Sequence, residues 1–395
     1  MDIVIIADFV GDMISNNSRF IYFASQLCDE NEVEVITSDF QHANKKYFNQ
    51  DLPSFPFKLT MLHEGAYMRN VSLQRFIAHY IWGNNVGRYL KGRKKPDVVY
   101  AAIPPLSSAY EAAKYCEKND VRFVIDVQDL WPEAFKLALN IPIVSDICFM
   151  PFKRMANYIY KCADSICAVS KTYADRALSV NDKRASVHVV YLGTELKSFD
   201  NNARNNPINK DSDEIWIGYC GTLGASYDIT VVLDAIRILN DEGNLKIKFI
   251  VMGDGERRRE FEKHAMASNV DCVFTGLVPY SQMCGMLKAC DIAANPIMHN
   301  AAQSIINKHG DYCAAGLPVI NTQESKEYRQ LVDDYQMGYN VDNNDPKAFA
   351  EKLKVLVEDR EKRRIMGQNA RRCAEEKFDR EYTYLELMKA ILEEN

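Results

Sequence analysis

A strand–helix alternation that runs twice, with one polar break between the runs, constrains this chain more than any other feature. The first run opens on Ile3-Val4-Ile5-Ile6-Ala7, a continuous and mostly β-branched stretch. A strand apolar on both faces suits a parallel sheet covered by helices on both sides. A polar loop from Gly11 to Asn17, a helical pattern from Ser18 to Asp29 and a strand at Glu32–Thr37 complete a strand–helix–strand unit. Further strands are predicted at Val98–Ala101, Phe123–Val127, Ser165–Val169 and Val187–Tyr191, with helical stretches between most of them. The Asn-rich segment 197–213 then offers nothing to bury and reads as a linker. The alternation restarts with strands at Ile215–Tyr219, Lys248–Met252, Cys272–Thr275, Asp291–Asn295, Pro318–Asn321 and Gly338–Val341, and the chain is helical after Pro346.

This pattern predicts an α/β chain of two Rossmann-like domains. Its 395 residues suit that number. The expected boundaries are 1–196 for the first domain, 197–213 for the linker and 214–375 for the second domain. A final helical segment, 376–395, is expected to pack back toward the first domain.

Charge narrows the partners. The net charge of −6 disfavours a dedicated nucleic-acid binder, which needs a basic surplus to neutralise phosphates. The halves differ: residues 1–195 carry 22 basic and 22 acidic groups, and 196–395 carry 26 and 32. Between Gly65 and Pro96 there is no Asp or Glu, while Arg69, Arg75, Arg88, Lys91, Arg93, Lys94 and Lys95 are all present. Tyr67, Phe76, Tyr80, Trp82 and Tyr89 interleave with these cations, a mixture suited either to an anionic lipid interface or to a solvated basic helix.

The eleven cysteines show no two-residue zinc spacing, and a reducing cytosol fits them. The acidic start is unlike a signal peptide, and no apolar stretch reaches transmembrane length. The expected location is cytoplasmic, with possible peripheral attachment to the inner face of the cell membrane.

Two glycine turns follow strands of the second run. Gly221-Thr222-Leu223-Gly224 lies at a strand-to-helix junction, where the backbone can approach a phosphate; Gly253-Asp254-Gly255 is similar. A plain turn is the other reading of both. Neither matches the three-glycine dinucleotide fingerprint or a P-loop. After Asn295-Pro296 comes a polar loop, then a helix start near Asn307. Lys308 falls in its first turn, where the helix dipole disfavours a cation unless an anion is close. Asp311, three residues on, shares its face and can accept ribose hydroxyls. The alternative is a surface helix with a Lys–Asp pair.

Six elements then occur in order: Asp126-Val127-Gln128-Asp129-Leu130-Trp131-Pro132, Val169-Ser170, Gly218–Gly224, Gly253–Glu256, Phe274–Tyr280 and Asp311–Ile320. In this the chain resembles family-4-type glycosyltransferases of the GT-B fold that build bacterial capsule and O-antigen polysaccharides. The resemblance implies two Rossmann-like domains with parallel sheets facing a central cleft. It implies a nucleotide-sugar donor, UDP being the guess, on the second domain. It also implies a glycan or undecaprenyl-linked acceptor on the first, and no metal or other cofactor. The sole Asp-x-Asp, Asp211-Ser212-Asp213, reads as solvated charge.

Carried onto this sequence, the resemblance places donor contacts at Gly221, Thr222, Leu223, Gly224, Gly253, Leu277, Val278, Ser304, Ile305, Lys308 and Asp311. Catalytic positions fall at Lys308, Gln303 and Asp129. Gly11 and Asp12 are acceptor or phosphate contacts, with a plain turn the alternative. Three departures stand out. Gln303 occupies a position that is often glutamate, no cation follows the first glycine turn, and Gln128 stands where histidine is common. The implied reaction is retaining transfer with Lys308 compensating the departing diphosphate. An epimerase of the same fold and a non-catalytic nucleotide-sugar sensor are the competing readings.

Overall fold

The computed structural model describes the chain except residues 12, 14–17, 49–51, 70–71, 135–141, 184, 244–245, 300, 302–303 and 394–395, and gives only the backbone of 142–148. It divides into two compact units, one of Met1–Tyr191 with Tyr382–Asn395, the other of Leu192–Glu381.

The first unit is built on a seven-stranded sheet. In chain order its strands are β1 (Asp2–Ile6), β2 (Glu32–Ser38), β3 (Lys58–Leu62), β4 (Val98–Ile103), β5 (Arg122–Val127), β6 (Ser165–Ala168) and β7 (Ser186–Val189). They pair in the order β3-β2-β1-β4-β5-β6-β7, all parallel. Every residue of β1 and β4 is buried, as continuous apolar strands require. Helix α1 (Arg19–Leu27) starts where the Ser18 hydroxyl accepts the Ile21 amide, and it buries Phe20, Phe23, Ala24 and Leu27. Helix α2 (Leu73–Gly92) crosses from β3 to β4 and buries Ala78, Trp82, Val86 and Leu90. Chain order reverses between β1 and β4, and the strand ends at such a switch point form a natural crevice.

The second unit has a six-stranded parallel sheet of β8 (Ile215–Cys220), β9 (Ile247–Met252), β10 (Cys272–Gly276), β11 (Ile292–Asn295), β12 (Val319–Asn321) and β13 (Gly338–Asn340). The order is β10-β9-β8-β11-β12-β13, so its switch point lies between β8 and β11.

Two sequence expectations change here. The segment expected as a linker holds helix α3 (Leu196–Asn205), which buries Leu196, Phe199 and Ala203 and belongs to the second unit. Three apolar residues at helical spacing outweighed the polar composition that suggested a linker. The chain returns to the first unit at Tyr382 rather than near 376. There, after helix α4 (Asn307–Ala315) and the remainder of the second unit, helix α5 (Leu385–Leu392) places Leu387, Ala390 and Ile391 in the first-unit core. No helix among the described residues is long and apolar enough to cross a membrane.

Candidate functional site

In the second unit, the two elements flanking the switch point converge on one amine. β8 runs into Gly221, whose φ of +132° suits glycine alone. A Cβ at Gly253 would collide with the Gly221 carbonyl, and one at Gly255 with that of Leu223. The glycine turns therefore stack on each other, joined by Gly221 N–Met252 O and Leu223 N–Asp254 O bonds of 2.9 Å each. Beneath them lies Lys308, in the first turn of α4, which follows β11. A Cβ on Gly221 would stand 2.8 Å from its Nζ.

The Lys308 ammonium is buried and has no hydrogen-bond partner among the described residues. It rests 4.1 Å from the Tyr219 ring centre and 4.0 Å from that of Tyr227. Two aromatic faces stabilise a cation only in part. Burial accordingly pulls the Lys308 pKa down to about 7. An anion set on the Gly221 turn would meet this amine together with the positive end of α4.

Asp311 is buried one helical turn further on. Its Oδ1 accepts bonds from the Thr194 hydroxyl at 3.1 Å and the Tyr280 hydroxyl at 2.9 Å. Burial raises its pKa, and these two bonds oppose the rise. It is thus neither the partner of Lys308 nor a bare ribose acceptor, since two protein hydroxyls already hold one oxygen. Ser304 and Ile305 are buried beside the start of α4. The Ser304 carbonyl accepts Gln323 Nε2 at 2.6 Å, and its hydroxyl has no partner among the described residues. Thr222 is exposed, Leu223 is buried, and Gly224 accepts the Tyr227 amide at 3.2 Å. Leu277 is 83% exposed, and Val278 beside it is half-buried. Gln303 lies outside the described residues, as does Asp12. Asp213 pairs with Lys246 at the surface, in keeping with solvated charge.

The first unit carries a second group of buried charges at the ends of β1 and β3. His79 Nδ1 lies 3.2 Å from Asp8 Oδ2 and 3.0 Å from Glu64 Oε1. Arg75 Nε donates to His79 Nε2 at 3.0 Å, which leaves the ring proton on Nδ1, facing both carboxylates. Asp8, Glu64 and His79 are close enough to grip a cation. Burial drives the Asp8 carboxyl above the usual carboxylate range. The Arg75 guanidinium lies 4.8 Å from the Trp131 ring centre. Trp131 Nε1 in turn donates to Asp129 at 3.2 Å, and the Leu130 amide does so at 2.9 Å. Asp129 is therefore a loop-holding carboxylate, with its pKa raised by burial against those bonds. Gln128 donates to Asp126, which is also paired with Arg19. Gly11, with φ +80°, lines a cavity of about 480 Å³ together with Asp8, Phe9, Phe40, His42 and Asn44.

Sequence reading missed Tyr219, Tyr227, Thr194 and Tyr280, and the whole Asp8–Glu64–His79–Arg75 group. Those on strands and loops carry no spacing signal, whereas Arg75 and His79 stand four residues apart on α2. A buried polar network of Asn295, Asn321 and Gln323 was missed as well, although polar residues at the ends of apolar strands were a usable sign.

The aromatic and basic strip from 65 to 96 is divided by packing. Tyr67 and Trp82 are buried, Arg93 binds Asp2 at 2.8 Å and Glu34 at 3.1 Å, and Tyr89 bonds Glu34. Composition had counted all of them as surface.

Residues 200–373 match the family model "Glycosyl transferases group 1". The chain is 24% identical over 276 residues to "Probable glycosyltransferase WbjE" of Pseudomonas aeruginosa, covering 67% of each. It is 24% identical over 306 residues to the "Capsular polysaccharide biosynthesis glycosyltransferase CapM" of Staphylococcus aureus, covering 75% of this chain and 76% of CapM. Among solved structures, HepE of Anabaena in complex with UDP superposes with a TM-score of 0.69 at 14% identity, over 98% of this chain and 99% of HepE. Residues 200–373, which hold the Lys308 site, thus carry a glycosyl transferases group 1 domain, and the two parallel-sheet units share the fold of the GT-B structures they resemble.

Proposed function

We propose that the protein transfers a hexosyl or N-acetylhexosaminyl group from a nucleotide diphosphate sugar, with retention of configuration, during synthesis of a surface polysaccharide. The acceptor is a glycan or an undecaprenyl-linked saccharide, which would bring the protein to the inner face of the cell membrane. One observation carries the reading: Lys308 is a buried amine without a hydrogen-bond partner among the described residues, under a glycine turn and at a helix N-terminus. A buried charge left unpaired is costly, and the missing partner it calls for is an anion. A diphosphate suits the site, because the Gly221 turn lets backbone approach its oxygens.

UDP is the expected nucleotide. The HepE structures with UDP and with UDP-glucose support that choice, and the name of CapM supports the polysaccharide role. As the glycosidic bond to the diphosphate breaks, charge grows on the leaving oxygen. Lys308 and the α4 amides stabilise it without a metal, which is the dominant effect expected in such a transfer. The first-unit cavity beside Asp8, with its aromatic, amide and carboxyl walls, suits a saccharide acceptor.

The test is incubation with UDP- and GDP-sugars and a lipid-linked or soluble glycan acceptor, reading release of nucleoside diphosphate with and without EDTA. Acceptor-dependent, EDTA-resistant release and an unchanged anomeric configuration by NMR are expected. Release with no donor–acceptor pair would sink the transferase reading, and conversion of the donor without acceptor would replace it with an epimerase.

A further inference from the structure

Two consecutive residues just past the end of β12 hold both arms of the loop that joins β11 to α4. The Thr322 hydroxyl accepts the Ile297 amide at 2.8 Å and donates to the Ile297 carbonyl at 2.9 Å, which pins the outgoing arm. Gln323 Nε2 donates to the Ser304 carbonyl at 2.6 Å, which pins the returning arm just before Lys308. β12 lies beside β11 in the sheet, so the residues that follow it run alongside this loop. Gln323 is itself wholly buried and held on every side. Its amide donates to Asn321 Oδ1 at 3.0 Å, its carbonyl accepts Arg329 Nε at 2.7 Å, and its Oε1 accepts Asn295 Nδ2 at 3.3 Å. Asn295, Asn321 and Asn340 stand in register at the ends of β11, β12 and β13. Asn295 donates to Asn321 at 2.8 Å, Asn321 to Asn340 at 2.8 Å, and Asn340 to Asp333 at 2.9 Å. A bonded ladder of this kind fixes its members more firmly than single bonds do.

Burying an amide is costly unless its groups are bonded, and apolar side chains would fill the strand ends without that cost. Gln323 directs its side-chain donor at a loop carbonyl rather than at the sheet, and the residue so held is Ser304. The Ser304 hydroxyl is buried beside the start of α4 and has no partner among the described residues. His309 braces the same turn: its Nδ1 accepts the Ile306 amide at 3.3 Å, and its ring stacks on Tyr328 at 3.5 Å between centres. We infer that Gln323 is a positioning residue, which fixes Ser304 so that its free hydroxyl bonds the sugar nucleotide held at Lys308. The inference rests on the reading of the Lys308 site as the donor site. Being wholly buried, Gln323 acts on a ligand only through the segment it holds.

Hydrogen exchange of the unliganded protein reads the placement without any donor. Gln323→Met keeps the volume and removes the bond to Ser304. It should speed exchange of the Ile306 and His309 amides ~10-fold, while amides of β8 and β9 keep their rates. Steady-state kinetics with UDP- and GDP-sugars read the consequence. Donor KM should rise ~10-fold in Gln323→Met, with kcat and acceptor KM within ~2-fold of wild type. Ser304→Ala should raise donor KM by a similar factor, and adding Gln323→Met to it should cost less than a further ~2-fold. Gln323→Asn, a shorter amide that disturbs packing less, should fall between wild type and Gln323→Met. Exchange of Ile306 and His309 at the wild-type rate would overturn the inference. So would a lower kcat at unchanged donor KM, which marks a merely structural residue, or additive effects of the two substitutions. Each of those results leaves the transferase reading standing. Faster local exchange in a protein that binds none of the sugar nucleotides would overturn both readings together.

Discussion

Each unit buries charge at the switch point of its sheet, and the two solve the resulting problem in opposite ways. In the first, His79 stands 3.2 Å from Asp8 and 3.0 Å from Glu64 and accepts a bond from Arg75, so opposite charges face one another within the protein. In the second, Lys308 has two tyrosine faces and no counter-ion among the described residues. Both groups are buried with shifted pKa values, so neither burial nor a shift distinguishes them. Compensation does. A closed set of charges holds a fold in place, whereas an open one is held in place by the fold for a ligand.

Removing a member of the closed set should show the largest effect. Glu64→Ala leaves Arg75 and His79 without a counter-charge and should destabilise the protein by about 3–5 kcal/mol, measured by denaturant unfolding. A loss below 1 kcal/mol would mean that the first-unit group is as open as the second.

The open site should behave in reverse. Lys308→Ala should lower kcat at least ~100-fold, the scale of one lost oxyanion donor. Near-normal turnover would remove Lys308 from the mechanism. Lys308→Met, which keeps the volume and drops the charge, should raise the thermal midpoint at pH 6 by several degrees while abolishing activity.

The pH dependence sharpens the contrast. Lys308 titrates near 7 in the folded chain and at its ordinary 10.5 when unfolded. Its cost to stability is full below pH 7 and fades as pH rises from 7 toward 10.5, so the advantage of Lys308→Met should shrink over that window. Asp8 is shifted the other way, above its ordinary 3.8. The folded state then holds the proton more tightly, and stability should fall from about pH 4 upward relative to Asp8→Asn. Parallel slopes for the two comparisons would erase the distinction. Donor affinity should also weaken above pH 7, by up to tenfold per unit, because an anion binds the protonated amine; Lys308→Met should show no such slope.

The smallest effect belongs to Asp311. Thr194→Val removes one of the two hydroxyls on its Oδ1 and should cost about 1 kcal/mol of stability.

Much of this was legible before any coordinates. Continuous apolar strands and their spacing gave two parallel-sheet units, because a strand buried on both faces leaves no polar alternation to hide. Gly221, Gly253 and Lys308 also stood out, since each breaks a local pattern: a glycine directly after an apolar strand, and a cation in a helix's first turn. The segment 197–213 misled because composition does not weigh three apolar residues at helical spacing, and the strip 65–96 misled because composition does not say which way a residue faces.

What the sequence determined by itself was therefore periodic or local: strand type, glycine turns and an out-of-place lysine. What only the tertiary structure decided was pairing. Residues as distant as Asp8 and His79, or Thr194 and Asp311, meet because strand order brings loop ends together, and no spacing along the chain encodes strand order. Whether a buried charge has its partner is settled at that level, and this separates the self-contained cluster of the first unit from the Lys308 site of the second.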